Sequence, residues 1–401
     1  MASATASDLQ ISSDPTPQTA TTSASTNFPP INIGTRSSTL AQIQARSVEK
    51  TFRDAFPDRT YNICPVLAQG DRDKVTPLQQ LSKGENAKSL WTGELEGMLE
   101  KGELSLIVHC LKDMPTQLPD NLTIGAILER EDPRDALIIS PRMPKGNLSS
   151  LPPDSTIGTS SIRRAAQLRR LYPDFKFVDL RGNVGTRLGK LDAEDSQYSA
   201  IILAAAGLKR MGLENRISQY LTSDNGGMLH AVGQGALAIE IRKDDEAIKE
   251  LLKNVACERS TRACSAERAL LRTLEGGCSV PIGVETSWRK WKSESGGLAI
   301  GVEPARDYDH EGRAIEPASD ENLDDEELVL KTVVVSVDGK DSVEYETARK
   351  VLSVEEAEEM GRDVAKVLSE KGADRILEKI SKEKQWAAKK SLEEVTHGKP
   401  T

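Results

Sequence analysis

The chain has 401 residues, more than one hydrophobic core normally organises, so the sequence predicts several domains. Aromatic residues make up only 4% and the formal net charge is −9, which disfavours a nucleic-acid reader built on basic charge and aromatic stacking. The five cysteines form no Cys-x-x-Cys pair and the four histidines are scattered. We therefore expect no metal site, and reduced thiols in the cytoplasm. No apolar run approaches the ~18 residues of a membrane helix, so no membrane partner is expected.

The first 30 residues are rich in Ser, Thr, Ala and Pro and contain no arginine, unlike a transit peptide, and we expect a disordered tail there. Order is predicted from Ile31, where a short apolar strand runs through residues 34–38 into an amphipathic helix. A strand, a small polar turn and a helix direct backbone N–H groups towards an anion. Arg36 and Ser38 lie at this turn, although an ordinary helix cap with a solvated arginine also explains them.

The polar segment between residues 70 and 94 includes Lys88 and is typical of a mobile loop over a site, although most lysines in loops are simply solvated. A buried-type strand over residues 104–108 follows, and Lys112 and Asp113 come just after its end. Ligands of α/β sheets bind at the carboxyl ends of the strands. Lys112 and Asp113 are therefore candidate site residues.

A second α/β unit is predicted beyond a crossover at residues 131–135. Its predicted strands lie near residues 156, 175–180 and 198–204, and each is followed by a polar turn and a helix. The glycine-rich segment 231–236 and the apolar segment after it read as a hinge and a strand. We expect this strand to return the chain to the first unit.

Arginines cluster in the second unit. Between residues 155 and 190 there are eight basic residues and two acidic ones, and Arg163, Arg164, Arg181 and Arg187 lie at strand-to-helix turns, where a cleft would form. The planar guanidinium binds carboxylate or phosphate bidentately. No P-loop motif is present, so a nucleotide phosphate site has little support. The pattern predicts a ligand with many acidic groups, held between two domains.

Cys278 follows a helical pattern that two glycines end, and Pro281 prevents the helix from resuming. A thiol on such a loop can be a nucleophile, a covalent attachment point or simply a small buried side chain. Short strands near residues 280–285, 298–302 and 329–337 and a helix from Val354 predict a small α+β third domain. Residues 311–327 contain eight acids and one arginine, which predicts a solvated, disordered insertion.

Eight runs of the sequence resemble those of the porphobilinogen deaminase (hydroxymethylbilane synthase) family. They occur in family order and cover residues 31–285 almost continuously, at 34–38, 108–115, 129–136, 158–164, 180–188, 205–210, 231–236 and 274–283. The resemblance implies an α/β fold of two periplasmic-binding-protein-like α/β domains plus a small α+β C-terminal domain. The implied boundaries are a tail over 1–30, domain 1 over 31–130 and 233–253, domain 2 over 131–232, a cofactor-attachment domain over 254–385 with an acidic insertion around 305–327, and a tail over 386–401.

The resemblance also implies a transferase of heme and other tetrapyrrole biosynthesis that joins four porphobilinogen molecules head to tail, releases ammonia and yields hydroxymethylbilane. Cys278 matches the cysteine that bears a dipyrromethane cofactor through a thioether, and Asp113 matches the catalytic aspartate. The positions that match cofactor-binding residues are Lys112, Asp113, Ser160, Arg163, Arg164, Arg181, Gly182 and Arg187. Those that match substrate-binding residues are Arg36, Ser38, Lys88, Arg210 and Gln234. A monomer is implied.

Two other classes of function compete with this interpretation. A non-catalytic two-lobed protein that binds a polycarboxylate would explain the arginines, because this fold hosts many ligands. It gives no role to Cys278 or to Asp113 among cations. A nucleic-acid-binding module is disfavoured by the net charge and by the scarcity of aromatic residues.

Overall fold

The computed structural model describes residues 28–68, 92–274, 280–290 and 320–383. The first segment of the chain builds most of one sheet and its covering helices. Its elements are β1 (Ile31–Arg36), α1 (Thr39–Ala55), β2 (Tyr61–Val66), α2 (Gly93–Glu100), β3 (Leu106–Cys110) and β4 (Leu122–Ile127). Ser38 caps α1 by accepting a hydrogen bond from the amide of Ala41. Val48 and Phe52 on the buried face of α1 pack on Ile31 and Ile33 of β1, which explains why the helix lies along the sheet.

The middle of the chain forms a second α/β unit. Its elements are β5 (Asp135–Ile139), β6 (Thr156–Gly158), α3 (Ile162–Leu171), β7 (Lys176–Val178), α4 (Val184–Asp192), β8 (Ala200–Ala204), α5 (Ala205–Arg210) and β9 (Gln219–Leu221). They form a five-stranded sheet of order β7-β6-β8-β5-β9, in which β6, β7 and β8 are parallel and β5 is antiparallel to its neighbours. We call this unit the second lobe.

The chain then returns through β10 (Leu237–Arg242) and α6 (Glu246–Leu252). Strand β10 inserts antiparallel between β3 and β4 and completes a sheet of order β2-β1-β3-β10-β4, which with its helices we call the first lobe. This confirms the prediction that the strand after the glycine hinge rejoins the first unit. The chain therefore passes between the lobes twice, through residues 128–134 and 222–236.

A third domain follows, with α7 (Glu258–Thr273), β11 (Ile282–Lys290), β12 (Glu326–Val335), β13 (Ser342–Arg349) and α8 (Val354–Glu370), and a further helical segment over residues 373–383. The three strands form an antiparallel sheet, and α7 packs against α8 over one face of it. Its apolar side chains reach both lobes. Cys264 packs in a cluster with Leu111 and Met114 of the first lobe, and Val333 and Val335 pack on Ala166 and Leu229 of the second. The predicted fold class is confirmed.

One buried ion pair joins the two crossovers to the third domain. Glu267 of α7 accepts hydrogen bonds from Arg130 at 2.7 and 3.1 Å, from the hydroxyl of Thr286 at 2.7 Å and from the amide of Gly233 at 2.7 Å. The Glu267 side chain is fully buried and that of Arg130 is 10% exposed. Burial raises the pKa of Glu267, but the charges of Arg130 and His230 and the hydrogen bonds from Arg130 and Gly233 together outweigh it, so that the net pKa is lowered and the carboxylate stays ionised.

The structure differs from the prediction at residues 320–327. This part of the acidic stretch forms a 3₁₀ turn over Asp320–Asp325 and the start of β12, and Leu323 and Glu327 are buried. The physical reason is pairing with distant arginines, because Glu326 contacts Arg259 at 2.6 Å and Glu327 contacts Arg289. Residues 305–319 and the predicted strand 298–302 lie outside the described residues. Among the described residues, no helix is long and apolar enough to cross a bilayer.

Candidate active site

Most of the described site residues lie just beyond the carboxyl ends of parallel strands in the two lobes, as the sheet-edge rule predicts. The exceptions are Arg210, at the end of α5, and Gln234, which precedes the antiparallel β10. In the first lobe, β1 ends at Arg36, and β3 is followed by a 3₁₀ turn over Leu111–Asp113. In the second lobe, β6 and β7 lead to the turns that include Ser160 and Arg181, and β8 leads into α5, which ends at Arg210. Ser38 also follows β1, but its hydroxyl is already engaged, because it accepts a hydrogen bond as the N-cap of α1.

Asp113 is an exposed acid of this region. Its side chain is 45% exposed, and its Oδ2 lies 4.0 Å from Nη1 of Arg36. The 3₁₀ turn places it immediately beyond the buried Leu111, which fixes the backbone below it. The carboxylate is therefore held at the strand end and remains open to a ligand.

Lys112 lies beside Asp113 and is directed to the junction of the lobes. Its Nζ donates to Oε1 of Gln234 at 3.3 Å. Burial lowers the pKa of the Lys112 ammonium, the negative charge of Asp113 opposes this shift, and the positive charge of Arg164 from the second lobe adds to it. The lysine of one lobe is thus within electrostatic reach of an arginine of the other.

Arg163 and Arg164 converge on a single buried carboxylate, that of Asp135. Arg163 Nη1 donates to Asp135 Oδ2 at 2.7 Å, and Arg164 donates to Oδ1 through Nε at 3.0 Å and Nη2 at 2.7 Å. The arginines also bond the carbonyls of Leu229 and Ile202. Burial would raise the pKa of Asp135, but the two guanidinium charges hold it well below its usual range. Sequence reasoning missed Asp135, although it ends the acidic crossover that the sequence singles out.

Gln234 links this cluster to the first lobe. It is 1% exposed, and its Nε2 donates to the carbonyl of Pro133 at 2.7 Å and to Oδ1 of Asp135 at 2.9 Å. Its oxygen accepts from Lys112. The amide therefore orients Lys112 and Asp135 from behind the cleft.

The loop after β7 holds the remaining cations of the second lobe. Ser160 donates to the carbonyl of Leu180 at 2.7 Å and so ties the β6 turn to this loop. Gly182 adopts φ +120°, which non-glycine residues rarely adopt, and its carbonyl accepts from Nε of Arg187 at 2.7 Å. Burial and then the charge of Arg164 lower the pKa of Arg187 to about 10, while the charges of Asp179 and Asp113 oppose the shift. Arg181, half-buried in the same loop, adds to the lowering.

Arg210 completes the set from the end of α5. Its Nη2 donates to the carbonyl of Gly235 at 2.7 Å. Gly235 has φ +89°, and a Cβ there would lie 2.1 Å from the carbonyl oxygen of Glu131, so the crossovers approach each other at this point. The charges of Asp113, Lys112 and Arg210 all act on the thiol of Cys110, whose pKa is raised mainly by burial. These side chains therefore lie close together.

Two predicted site residues, Cys278 and Lys88, lie outside the described residues. Helix α7 ends at Thr273 and β11 begins at Ile282, so Cys278 lies in the connection between two elements of the third domain.

Among the described residues, seven cations from two α/β lobes thus lie at this site, together with the exposed carboxylate of Asp113. Fold and site define an α/β protein of two lobes and a third domain, whose strand ends present cations to an anionic ligand. Among solved structures, the methionine-binding protein MetQ is similar at 15% identity, with 59% of this chain and 94% of that chain covered and a TM-score of 0.34.

Sequence comparisons identify the family. Residues 31–250 match the porphobilinogen deaminase dipyrromethane cofactor binding domain, and residues 261–296 match the porphobilinogen deaminase C-terminal domain. Porphobilinogen deaminase of Neurospora crassa is 43% identical over 88% of this chain and 94% of the relative, and that of Saccharomyces cerevisiae is 41% identical over 88% and 97%.

The chain belongs to the porphobilinogen deaminase family. It is a transferase of tetrapyrrole biosynthesis that polymerises porphobilinogen to hydroxymethylbilane, and its cofactor is dipyrromethane.

Proposed function

We propose that Asp113 is the catalytic carboxylate of this reaction and that the cations of both lobes bind the acetate and propionate groups of the growing chain. The observation that supports this most directly is the electrostatic contact of Asp113 with groups of both lobes. It lies 4.0 Å from Arg36 in the first lobe and its charge acts on Arg187 in the second. A carboxylate in this position stabilises the positive charge that develops as ammonia leaves, and can receive and return a proton during condensation.

The residues present fit a polycarboxylate cofactor, because the pKa values of the half-buried Arg187 and Lys112 are lowered by desolvation and by the positive charge of Arg164. A bound anion would oppose both of these shifts. Dipyrromethane, attached to Cys278 through a thioether, supplies the primer to which pyrrole units are added. We propose that Lys112, Asp113, Ser160, Arg163, Arg164, Arg181, Gly182 and Arg187 hold it.

For the incoming porphobilinogen we propose Arg36, Ser38, Lys88, Arg210 and Gln234. Arg36, Arg210 and Gln234 differ in exposure, and we infer different roles for them. Arg36 is half-buried at the end of β1 and Arg210 is half-buried at the end of α5, where a carboxylate of the substrate would reach them. Gln234 is buried and would act by orienting Lys112. The hydroxyl of Ser38 is engaged as a helix cap, so the backbone of its turn would contribute to substrate binding as much as the hydroxyl does.

We further propose that the enzyme works as a cytoplasmic monomer without nucleic-acid or membrane partners. The four described cysteines are free thiols, which suits a reducing compartment. The domain boundaries proposed are those expected from the sequence, since the sheet to which the strands belong changes near residues 130, 233 and 254.

The intact mass of the purified protein tests the cofactor assignment. The expected result is an increment equal to two linked pyrrole units that is absent from Cys278→Ser. A folded, unmodified wild-type protein would instead favour a non-catalytic polycarboxylate-binding protein.

The role of Asp113 is tested by Asp113→Asn, with Asp54→Asn as a matched control on the exposed surface of α1, where Asp54 pairs only with Lys50 among the contacts described for it. We expect Asp113→Asn to retain at least part of the cofactor by mass and to lose turnover by about 10²–10⁴-fold, the range for a lost electrostatic or acid–base group. The control should turn over normally. Near-normal turnover of Asp113→Asn would remove Asp113 from this role.

A further inference from the structure

The first lobe contains a buried ionisable cluster that the proposed site does not use. Nε2 of His109 on β3 lies 2.8 Å from Oε2 of Glu240 on β10, and both side chains are at most 5% exposed. The pair lies on the sheet face covered by α2, beside Ile107, while the opposite face of the same two strands is lined by apolar residues such as Val108 and Ile239.

Packing alone does not explain this pair. Replacing a buried ion pair by apolar residues of similar volume is often neutral or stabilising. Moreover, Oε1 of Glu240 is buried without a hydrogen-bond partner within the described structure. Unsatisfied buried polar atoms are costly, and they concentrate at functional positions.

The acidic group that faces the pair comes from α2. Glu96 is 8% exposed, and its pKa is raised by burial first and then, against a lowering contact from Thr92, by the charge of Glu240; His109 lowers it. Glu100 of the same helix raises it slightly further. Because its pKa is raised, Glu96 retains its proton more readily and places less negative charge beside Glu240. The buried contact between His109 and Glu240 is therefore less disturbed by repulsion from Glu96.

Of the two strands that the pair joins, β3 ends and β10 begins at the proposed site. His109 is paired in register with Ala238, and the backbone ladder continues to Leu111, whose amide donates to the carbonyl of Ala236 at 3.0 Å. Beyond this point β3 leads to Lys112 and Asp113. The residues that precede β10 are Gln234, which accepts from Lys112 at 3.3 Å, and Gly235, which accepts from Arg210 at 2.7 Å.

We propose that His109 and Glu240 are positioning residues for the reaction: by fixing β3 to β10 just below the site, they set the placement of Asp113 and Lys112 relative to Gln234 and Arg210. This inference rests on the proposed role of Asp113. A displacement of β3 along β10 by a fraction of an ångström would move Lys112 and Asp113 together. Small misplacements of reacting groups lower turnover strongly.

The experiment uses the full-length, cofactor-loaded protein and two changes of the pair. Glu240→Gln removes the charge while conserving shape, and the double replacement of His109→Leu with Glu240→Met keeps an apolar volume between the strands. We expect both to lower kcat at least tenfold with KM within twofold of wild type. Cofactor loading by intact mass should be complete, and the double variant should melt at or above the wild-type temperature.

The matched control is Arg242→Gln. Arg242 ends the same strand at its far side and donates to the carbonyls of Leu99 and Leu104, so its loss weakens the strand without adjoining the site. We expect its kcat to stay near wild type. An apolar double variant with wild-type kcat would overturn the inference, as would failure of both pair variants to fold, because the pair would then be a stability element alone.

Measurement of Asp113→Asn in the same series separates the two proposals. If Asp113→Asn is inactive and Glu240→Gln is fully active, only the positioning role fails. If Asp113→Asn turns over normally, the role of Asp113 fails whatever Glu240→Gln does, and the positioning proposal fails with it.

Discussion

Replacement of Glu267 by glutamine should destabilise the junction between the lobes and the third domain. The carboxylate accepts two hydrogen bonds at each oxygen, with Arg130 and Thr286 on Oε1 and Arg130 and Gly233 on Oε2. Glutamine turns one acceptor oxygen into an N–H donor, which opposes two donors that already point at it. It also removes the negative charge that pairs with the guanidinium of Arg130, whose side chain is only 10% exposed.

The size of this effect follows from the bonds lost. Two hydrogen bonds that involve a charged group contribute about 1.5–3 kcal/mol each, and breaking a buried pair by removing one partner costs about 3–5 kcal/mol, so the two figures agree. At roughly 2 °C per kcal/mol for a chain of this size, the Tm should fall by about 6–10 °C.

Differential scanning fluorimetry of the cofactor-loaded proteins measures the shift. Asp192→Asn is the matched control, since Asp192 makes a two-bond pair with Arg216 at 2.7 and 3.0 Å, but in a partly exposed setting. An exposed pair contributes at most about 1 kcal/mol, so the control should melt within about 2 °C of wild type. If Glu267→Gln melts as close to wild type as the control does, the junction does not depend on this pair.

Two further changes test backbone geometry and acid stability. Gly235→Ala should destabilise the protein by about 2–5 kcal/mol, because alanine would be strained at this positive φ and its Cβ would overlap the carbonyl of Glu131. The control, Gly189→Ala, lies at an exposed helix position with open space around it and should be neutral or stabilise by up to about 1 kcal/mol. Equal urea midpoints for the two variants would contradict this expectation. The depressed pKa of Asp135 means that its stabilisation is present above the unfolded value of about 3.9 and declines as pH falls below it, because the unfolded chain then binds a proton that the folded chain does not. The Tm difference between wild type and Asp135→Asn should thus be largest at pH 5–7 and shrink towards pH 3; a difference that does not change with pH would refute the assignment.

Local sequence pattern predicts much of the fold and part of the site. The apolar strand before Asp113 and the strand-end rule together predict where that carboxylate lies, and the glycine hinge predicts the return of β10 to the first sheet. These predictions succeed because they depend on residues close in sequence, whose spacing indicates strand, turn or helix.

Contacts between distant residues are the part that local pattern could not predict. Arg163 and Arg164 lie just after the turn that follows β6, as predicted, but they donate to the buried carboxylate of Asp135. Asp135 lies 28 and 29 residues earlier, at the start of β5. Likewise, Glu326 is part of a run of acids, and only the folded chain reveals that Arg259 neutralises it. Composition counts charges along the chain, whereas burial and pairing depend on tertiary structure.

The double passage of the chain between the lobes has a consequence for its synthesis. All the strands of the second lobe lie within residues 135–221, so they can assemble as soon as that segment leaves the ribosome. The first lobe, although started earlier, must wait for β10, which occupies the gap between β3 and β4. At 5–20 residues per second this wait lasts on the order of 10 s. During that interval β3 and β4 present open edges in the nascent chain, and the first lobe is where we expect chaperones to be needed.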